Sequence, residues 1–315
     1  MSKPFPRDNH LTSIAIAYKN PEVNLIADQV LPRVKVSKRE FSYYEYPEGQ
    51  MYTVSDTRVG EHDRVNRSNV RGNKETSEVE DNGQIIPLTK NDIDQAPQGV
   101  DPKAQATERG TNIILLSHER NVCNLVTNPA NYPATNTKNL AAGGNKRLDA
   151  SDADPFGELL AGLDACLVRP NYLTFGAYAW RKLSTAPKVV AASQGNSGES
   201  GIALRRVIAE LLEVNEIFVG RGVVNIAKPG KAIELAQLWG NVVLAHFRDS
   251  TVGTSGGITF GFTAQMGDRV AGSRDVPAGD MGLYGGVEVL SGESTKPLIV
   301  APRAGFPWTN ACTAA

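Results

Sequence analysis

The chain has 315 residues, 41% of them hydrophobic, and a formal net charge of -1 from 33 basic and 34 acidic side chains. That is ample for a real core in one large or two smaller domains, and it excludes a disordered chain. The charge balance argues against a dedicated nucleic-acid reader, which would carry a strongly basic face. Cys123, Cys166 and Cys312 are far apart and odd in number, which suits buried thiols in a reducing compartment better than a disulfide framework.

The N-terminus offers only Ile14 to Ala17 as a continuous apolar run, too short for a signal peptide or a membrane span. A soluble protein folded in the cytoplasm is expected. Up to Leu31 the apolar residues (Leu11, Ile14, Ile16, Tyr18, Val23, Leu25, Ile26, Val30) come in small patches. Such a segment is ordered by lying along something else. Val34 to Val36 and Phe41 to Tyr46 are rich in β-formers, and Pro47-Glu48-Gly49 punctuates them. From Met51 to Pro97 charged and polar residues dominate, with isolated Val54, Val59, Val65, Val70 and Val79. A stretch that long without a core of its own is either disordered or an extended hairpin docked on a neighbour. Arg64, Arg67 and Arg71 interleave there with Glu61, Asp63, Glu75, Glu78 and Glu80. That pattern serves either a solvated surface or a complementary contact between subunits.

Asp101-Pro102 is a helix start, with a capping carboxylate and a proline where the missing N–H costs nothing. Behind it Ala104, Glu108, Thr111, Leu115, His118, Val122 and Leu125 recur every three or four residues, and Ile114, Leu116 and Val126 widen the stripe. The spacing predicts one helix roughly 40 Å long at ~1.5 Å per residue, ended by Asn128-Pro129 and weakest at Gly110. A loop with Gly143-Gly144-Asn145 follows, then a helix from Asp154-Pro155 with Leu159, Leu160, Leu163, Cys166 and Leu167 on one face. Next come a strand at Tyr172 to Phe175, a helix at Ala177 to Leu183, a loop at Gln194 to Gly201 and a helix at Ile202 to Leu212. Strands at Ile217 to Val219 and Leu238 to Ala245 complete a mixed α/β unit, with Trp180 and Trp239 assigned to its core. The tail from Gly256 reads as β segments (Ile258 to Phe262, Val287 to Leu290, Leu298 to Ala301) returning to an earlier sheet.

No catalytic constellation emerges. His10, His62, His118 and His246 do not share ligand spacing, and Val122 stands where a zinc-protease helix beginning at His118-Glu119 needs its second histidine. Gly253 to Gly257 has threonine where a trypsin-like motif has aspartate, and Gly198 to Gly201 lacks the spacing of a nucleophile elbow. Gly220-Arg221-Gly222 has Asn225 in place of a third glycine, and Lys228 to Lys231 lacks the rest of a phosphate loop. No enzyme activity, metal or cofactor is expected.

The order of these parts resembles the major capsid proteins of tailed double-stranded DNA bacteriophages, the Hong Kong 97-type fold shared with encapsulin shells. The resemblance covers most of the chain. Its most specific phrase is the N-terminal A-Y-x-N … I-A-D-x-V-x-P, on Ala17, Tyr18, Asn20, Ile26, Ala27, Asp28, Val30 and Pro32. Pro170 to Leu173 and Leu238 to Val243 resemble further phrases of the family. What the resemblance implies is an α+β chain in five parts. They are an N-terminal arm at 1–36, a strand and extended β-hairpin loop at 37–98 and a peripheral domain with the long spine helix at 99–165. A mixed α/β axial domain at 166–255 and return β segments at 256–315 follow. It also implies hexamers and pentamers forming an icosahedral shell in the virion, assembled in the bacterial cytoplasm around double-stranded DNA that is touched weakly and without sequence preference.

A shell subunit needs several different interfaces, and long arms whose ordering cost is met on assembly suit that need. The start at Met1 favours a separate scaffold protein over a removed leader, with portal and decoration proteins as further partners. Lys74 and Lys90 belong to no phrase marking an isopeptide cross-link, so non-covalent closure is expected. The candidate contact residues are Arg58, Arg64, Arg67 and Arg71, meeting carboxylates of a neighbouring subunit. The rivals are an encapsulin-type nanocompartment, which holds cargo protein, and, remotely, a soluble hydrolase using Ser200 or Ser255.

Overall fold

The computed structural model describes residues 5–18, 25–45, 52, 54, 57–59, 61, 64–65, 72–194, 201–228, 230–249 and 258–313. The chain begins with α1 (Asn9–Ala17), capped by the Asp8 carboxylate, which accepts from the His10 and Leu11 amides. The short α2 (Ala27–Val30), β1 (Arg33–Val36), β2 (Glu40–Glu45), β3 (Asn73–Glu78) and β4 (Glu80–Thr89) follow. Helix α3 (Lys90–Asp94) is fixed by a capping box between Thr89 and Asp92. The spine helix is α4 (Pro102–Thr127), and its ends fall where the sequence places them: Asp101 accepts from the Lys103 amide, and Asn128 leaves helical geometry before Pro129.

Beyond it lie β5 (Lys138–Asn139), α5 (Pro155–Asp164), β6 (Tyr172–Gly176), α6 (Ala177–Ser184), α7 (Pro187–Gln194), α8 (Arg205–Leu211) and β7 (Glu216–Gly220). The remaining strands are β8 (Val223–Asn225), β9 (Leu235–Gln237), β10 (Val242–His246), β11 (Gly261–Met266), β12 (Val270–Val276), β13 (Gly286–Ile299) and β14 (Gly305–Thr309).

Two five-stranded sheets organise these elements. In the first, β1, β11, β13 and β12 lie in that order and β4 also pairs with β13. Strand β13 is the axis of this sheet: β11 and β12 run antiparallel to it end to end, with a slip in register between Gln265↔Thr295 and Val270↔Gly292. Gly267, at φ 70°, makes the bend. The second sheet has the order β5, β14, β10, β6, β7, with α5 to α8 supplying the apolar cover. Two-stranded pairs β2–β3 and β8–β9 stand apart from both sheets.

Helix α4 buries a wider arc than its periodicity suggests. Thr111, Ile114, Leu115, His118, Val122 and Val126 are buried as expected, but so are Ala106, Thr107, Gly110, Glu119 and Cys123, while Glu108 is exposed. The helix is packed from two directions, against β13, β4 and α1 along one side and against the arm and Trp239 near its C-terminal half. Its buried hydroxyls are satisfied internally, Thr107 and Thr111 each donating to the carbonyl one turn back. Gly110 is where α4 closes on the sheet: a Cβ there would lie 2.9 Å from Ser291 Oγ of β13. The helix tolerates the ~1 kcal/mol propensity cost of glycine at that point.

Several expectations are corrected. Trp239 is buried, but in the cluster with Ile26, Val30, Val122, Val126 and Phe260 that joins arm, spine helix and second sheet, not in the core of the α/β unit. The strand expected from Leu238 starts at Val242, because Gly240 at φ 48° turns the chain first. The segment expected at 287–290 and the first half of the one expected at 298–301 are parts of one 14-residue strand, β13, in which burial alternates as far as Thr295 and includes polar Ser291, Glu293 and Thr295. Strand β14 carries Pro307, a residue that argues against a strand on sequence grounds. Leu140, Leu148, Leu159 and Leu163 pack with Leu173, Phe175 and Val243, since β5 brings the chain after α4 into the second sheet.

Gly176, at the end of β6, lets β6 approach the Trp239-Gly240 turn, whose carbonyl oxygens would collide with any Cβ. Gly176→Ala is expected to destabilise the fold by about 1–3 kcal/mol, as overpacking does, seen as a lower urea midpoint with an unchanged slope.

Candidate inter-subunit surface and the arm junction

The extended loop is rooted by β2 and β3, paired in register from Glu40↔Glu78 to Glu45↔Asn73. Phe41 and Val79 anchor that root on Phe262 and Ala264 of the first sheet. Of the candidate arginines, Arg58 and Arg64 are exposed, and Arg67 and Arg71 lie outside the described residues. Beside the exposed pair stand Val54, 92% exposed, and Val65, 72% exposed, so this stretch carries both charge and bare apolar surface. At the root the charges are spent within the chain. Arg39 binds Glu78 at 2.7 Å and Asp81 at 2.8 Å, Lys296 binds Glu80, and Ser294 donates to Asp81 at 2.6 Å. Glu78 and Glu80, two of the acids that interleave with the arginines in the sequence, are therefore engaged inside the subunit.

Among the described residues a dense polar cluster lies where the arm meets the body. Helix α1 lies on β12 through the Asp8 amide and Thr12 hydroxyl, both donating to Ala271 O, at 3.2 and 2.9 Å. Leu11 and Ala15 bury their side chains against Ala106, Val287 and Val289. The I-A-D-x-V-x-P phrase then enters the junction. Glu119 of α4 accepts from the Ile26 amide at 3.0 Å, the Ala27 amide at 2.7 Å and the Trp239 indole N–H at 2.5 Å. Arg248, stacked on the Tyr172 ring at 4.2 Å, donates to Gln29 O at 2.7 Å, and Thr263 donates to Leu31 O at 3.1 Å. Asp28 faces Arg33 at 2.8 Å and His118 at 3.3 Å.

Behind this contact Glu293 of β13, only 1% exposed at its side chain, sits between Arg33 at 2.9 Å and Arg269 at 3.1 Å. Arg269 also donates to Tyr18 O at 3.2 Å, just past the C-terminal end of α1, where a cation is favoured. One short segment is thus held by residues from α4, β1, β11, β13, the turn before β10 and the chain just after it.

The protonation states follow from burial and partners. Burial raises Glu119 above the usual carboxylate range although the Ile26, Trp239 and Ala27 donors oppose it. Burial also acts to raise Asp28, but the nearby His118 imidazole and the bonded Arg33 guanidinium outweigh it and hold the carboxyl at about 2. Glu293 is likewise lowered, its two arginines overcoming desolvation. Burial pushes the thiols of Cys123, Cys166 and Cys312 up to about 12, which leaves them unreactive. His246, enclosed by the Tyr172 and Phe260 rings, is pushed down to about 3 by burial and is neutral.

Among the described residues no group of three or more His, Cys, Asp or Glu could hold a metal ion, and no helix is long and apolar enough to cross a membrane. His118-Glu119, read in the sequence as a broken zinc motif, binds the arm. Gly220 of the incomplete dinucleotide motif packs under the Trp239 ring, with no room for a Cβ. Ser200 and Ser255 lie outside the described residues. Sequence reasoning missed Glu119, Arg269 and Glu293 as structural centres. The available signal was a lone acid on the apolar face of a helix and another in an alternating strand.

No protein-family profile matches the chain. Over 311 residues it is 41% identical to the major capsid protein of Pseudomonas phage JBD67, covering 99% of each chain. Over 252 residues it is 28% identical to the major capsid protein of Burkholderia phage BcepMu, covering 76% of each. A solved structure of similar fold is that of a phage-related protein from Bordetella bronchiseptica RB50, with TM-score 0.73 and 19% identity over 98% of this chain and 99% of that one.

Replacing Glu119 by Leu strands two amides and an indole N–H, and is expected to cost roughly 1–3 kcal/mol for each buried donor left unsatisfied. Glu119→Gln, which keeps one acceptor, should fall between Leu and wild type, in urea unfolding and in protease cutting of the arm. A second expectation concerns acid. The stabilisation from Asp28 is present above 3.8 and lost as pH falls through about 2. Pepsin cleavage of the arm should therefore rise across that window. Asp28→Asn should reduce the step and leave the part that the likewise lowered Glu293 carboxylate contributes.

Proposed function

The chain belongs to the phage major capsid proteins and has their Hong Kong 97-type fold, and from that premise we propose how its parts build the shell. It is a structural protein of the virion capsid, not an enzyme, and its copies assemble with one another. The division of labour proposed is an arm at 1–36, an extended loop at 37–98, a peripheral part at 99–165, an axial part at 166–255 and return strands at 256–315. Hexamers and pentamers form in the host cytoplasm under a separate scaffold protein, join a portal and in some shells decoration proteins, and enclose double-stranded DNA. Contact with that DNA is weak and indifferent to sequence, through scattered Lys and Arg side chains and backbone amides.

The observation that carries this reading is full-length relatedness to a phage capsid protein, in a chain that spends its buried charges internally and leaves apolar and basic groups bare on its loops. The encapsulin alternative shares the fold, so fold cannot separate the two; the relatedness favours the phage shell. Arg58, Arg64, Arg67 and Arg71 are proposed to meet carboxylates of an adjacent subunit. Each exposed pair is worth only ~0–1 kcal/mol, but the contact recurs at every copy.

On coexpression with the scaffold, the chain should give megadalton particles of uniform diameter by light scattering and negative stain, with DNA and not cargo protein inside those taken from virions. Reversing the four arginines to Glu should reduce closed shells and leave soluble subunit unchanged; wild-type shell yield from that variant would sink the assignment of these residues.

A further inference from the structure

The turn between β12 and β13, residues 277–285, is built to present two large apolar side chains. Its shape is held from within, the Gly279 amide donating to Gly282 O at 2.9 Å and the Asp280 amide to Pro277 O at 3.3 Å. Gly279, Gly282 and Gly285, at φ 96°, 61° and 72°, supply conformations that other residues rarely adopt. On this frame Leu283 is 79% and Tyr284 68% exposed, where turn chemistry favours polar residues.

At the same end of the sheet lies a groove of about 430 Å³ between β4, α3 and the first turns of α4. Ile86, Leu88, Ala96, Pro97, Val100 and Ala106 supply its apolar wall, and Arg109 stands on its rim. The turn and the groove are neighbours in one chain, since the Lys90 amide ahead of α3 donates to Gly285 O at 3.1 Å. Yet the turn does not fill its own groove, because both knob side chains point into solvent. The volume is within the range of pockets that enclose a small ligand, and so accommodates a leucine and part of a tyrosine ring.

The charges are complementary. Asp280 on the turn and Arg109 on the rim are both exposed, and neither has a side-chain partner among the described residues. The acid lining the groove, Asp92, is already bonded to the Thr89 amide and hydroxyl. A knob and a hole of opposite charge at one end of a subunit form a head-to-tail contact, which closes into a ring when repeated by rotation.

We propose that Leu283 and Tyr284 of one subunit seat in the groove of a second copy of this chain, over Ile86, Leu88 and Val100, with Asp280 meeting Arg109. The contact rests on the shell reading above and adds a specific ring-forming interface to it. The test combines Leu283→Cys with Val100→Cys in assembled particles. The double variant should run as covalent multimers on a non-reducing gel and collapse to monomer with reductant, while each single variant stays monomeric, since the native cysteines are buried or half-buried.

A charge exchange reads the same contact independently: Asp280→Arg and Arg109→Asp should each lower shell yield several-fold, and the two together should restore it. Wild-type subunits that never form shells would defeat the shell reading and this contact together. Shells of normal size and yield with neither cross-link nor rescue would overturn the contact alone.

Discussion

The carboxylate of Glu119 is the point on which the packing of this subunit turns. It accepts from the arm at Ile26 and Ala27 and from the indole of Trp239 just ahead of β10, so three parts far apart in sequence converge on two oxygen atoms. Two amides at the start of α2 would otherwise be buried without partners, a cost that hydrophobic contact from four residues of helix could not offset. The apolar cluster of Ile26, Val30, Leu31, Val122 and Trp239 forms around that fixed point. A polar group thus sets register, and the apolar side chains supply the bulk of the free energy.

The same logic separates the charges of the molecule into two populations. Glu293 and its two arginines are enclosed, and the desolvation cost of burying such a triad is recovered only in part, since Glu293 Oε1 and Arg33 Nη2 have no hydrogen-bond partner among the described residues. Its reward is geometric: it fixes β1, β13 and Arg269, the residue ahead of β12, relative to the arm. Arg39, Glu78 and Asp81 sit in solvent and contribute little to stability, yet they tie the root of the extended loop to β4. Arg64, Arg109 and Asp280, by contrast, form no ion pair among the described residues. In a protein whose copies must adhere to one another, the groups left without internal partners mark where recognition is to be sought.

Much of the fold was legible where local chemistry dictates local structure. Asp101-Pro102 and Asn128-Pro129 delimit the spine helix because capping and proline sterics act within a few residues. The strands Tyr172–Gly176 and Glu216–Gly220 stand out because they are apolar and bounded by turns. What was hidden depends on partners distant in the chain. β13 reads as two fragments because Ser291, Glu293 and Thr295 break its apolar pattern, and only Arg33, Arg269 and α4 explain their burial. Trp239 reads as a core residue of its own unit, since nothing nearby announces that its indole reaches Glu119, 120 positions earlier. The candidate arginines were chosen from a pattern of alternating charge, which identifies a surface without naming what lies across from it.

The arm and the root of the extended loop are tied to the body in different ways. The arm is folded onto its own subunit by bonds to its backbone: Ile26 N, Ala27 N, Gln29 O and Leu31 O all have partners in the body. Backbone bonds of that kind constrain the path of the chain while demanding little of the side chains it displays. The loop has such support only at its root, through β2 and β3, and shows Val54 and Val65 bare beyond it. An isolated two-stranded ribbon is marginal in water, and the β2–β3 pair is supported at its base by Phe41 and Val79 packed on Phe262 and Ala264. On the assembly proposed above, the bonded arm belongs to the body of the subunit, and the exposed Val54, Arg64 and Val65 are loop groups presented toward a neighbouring copy.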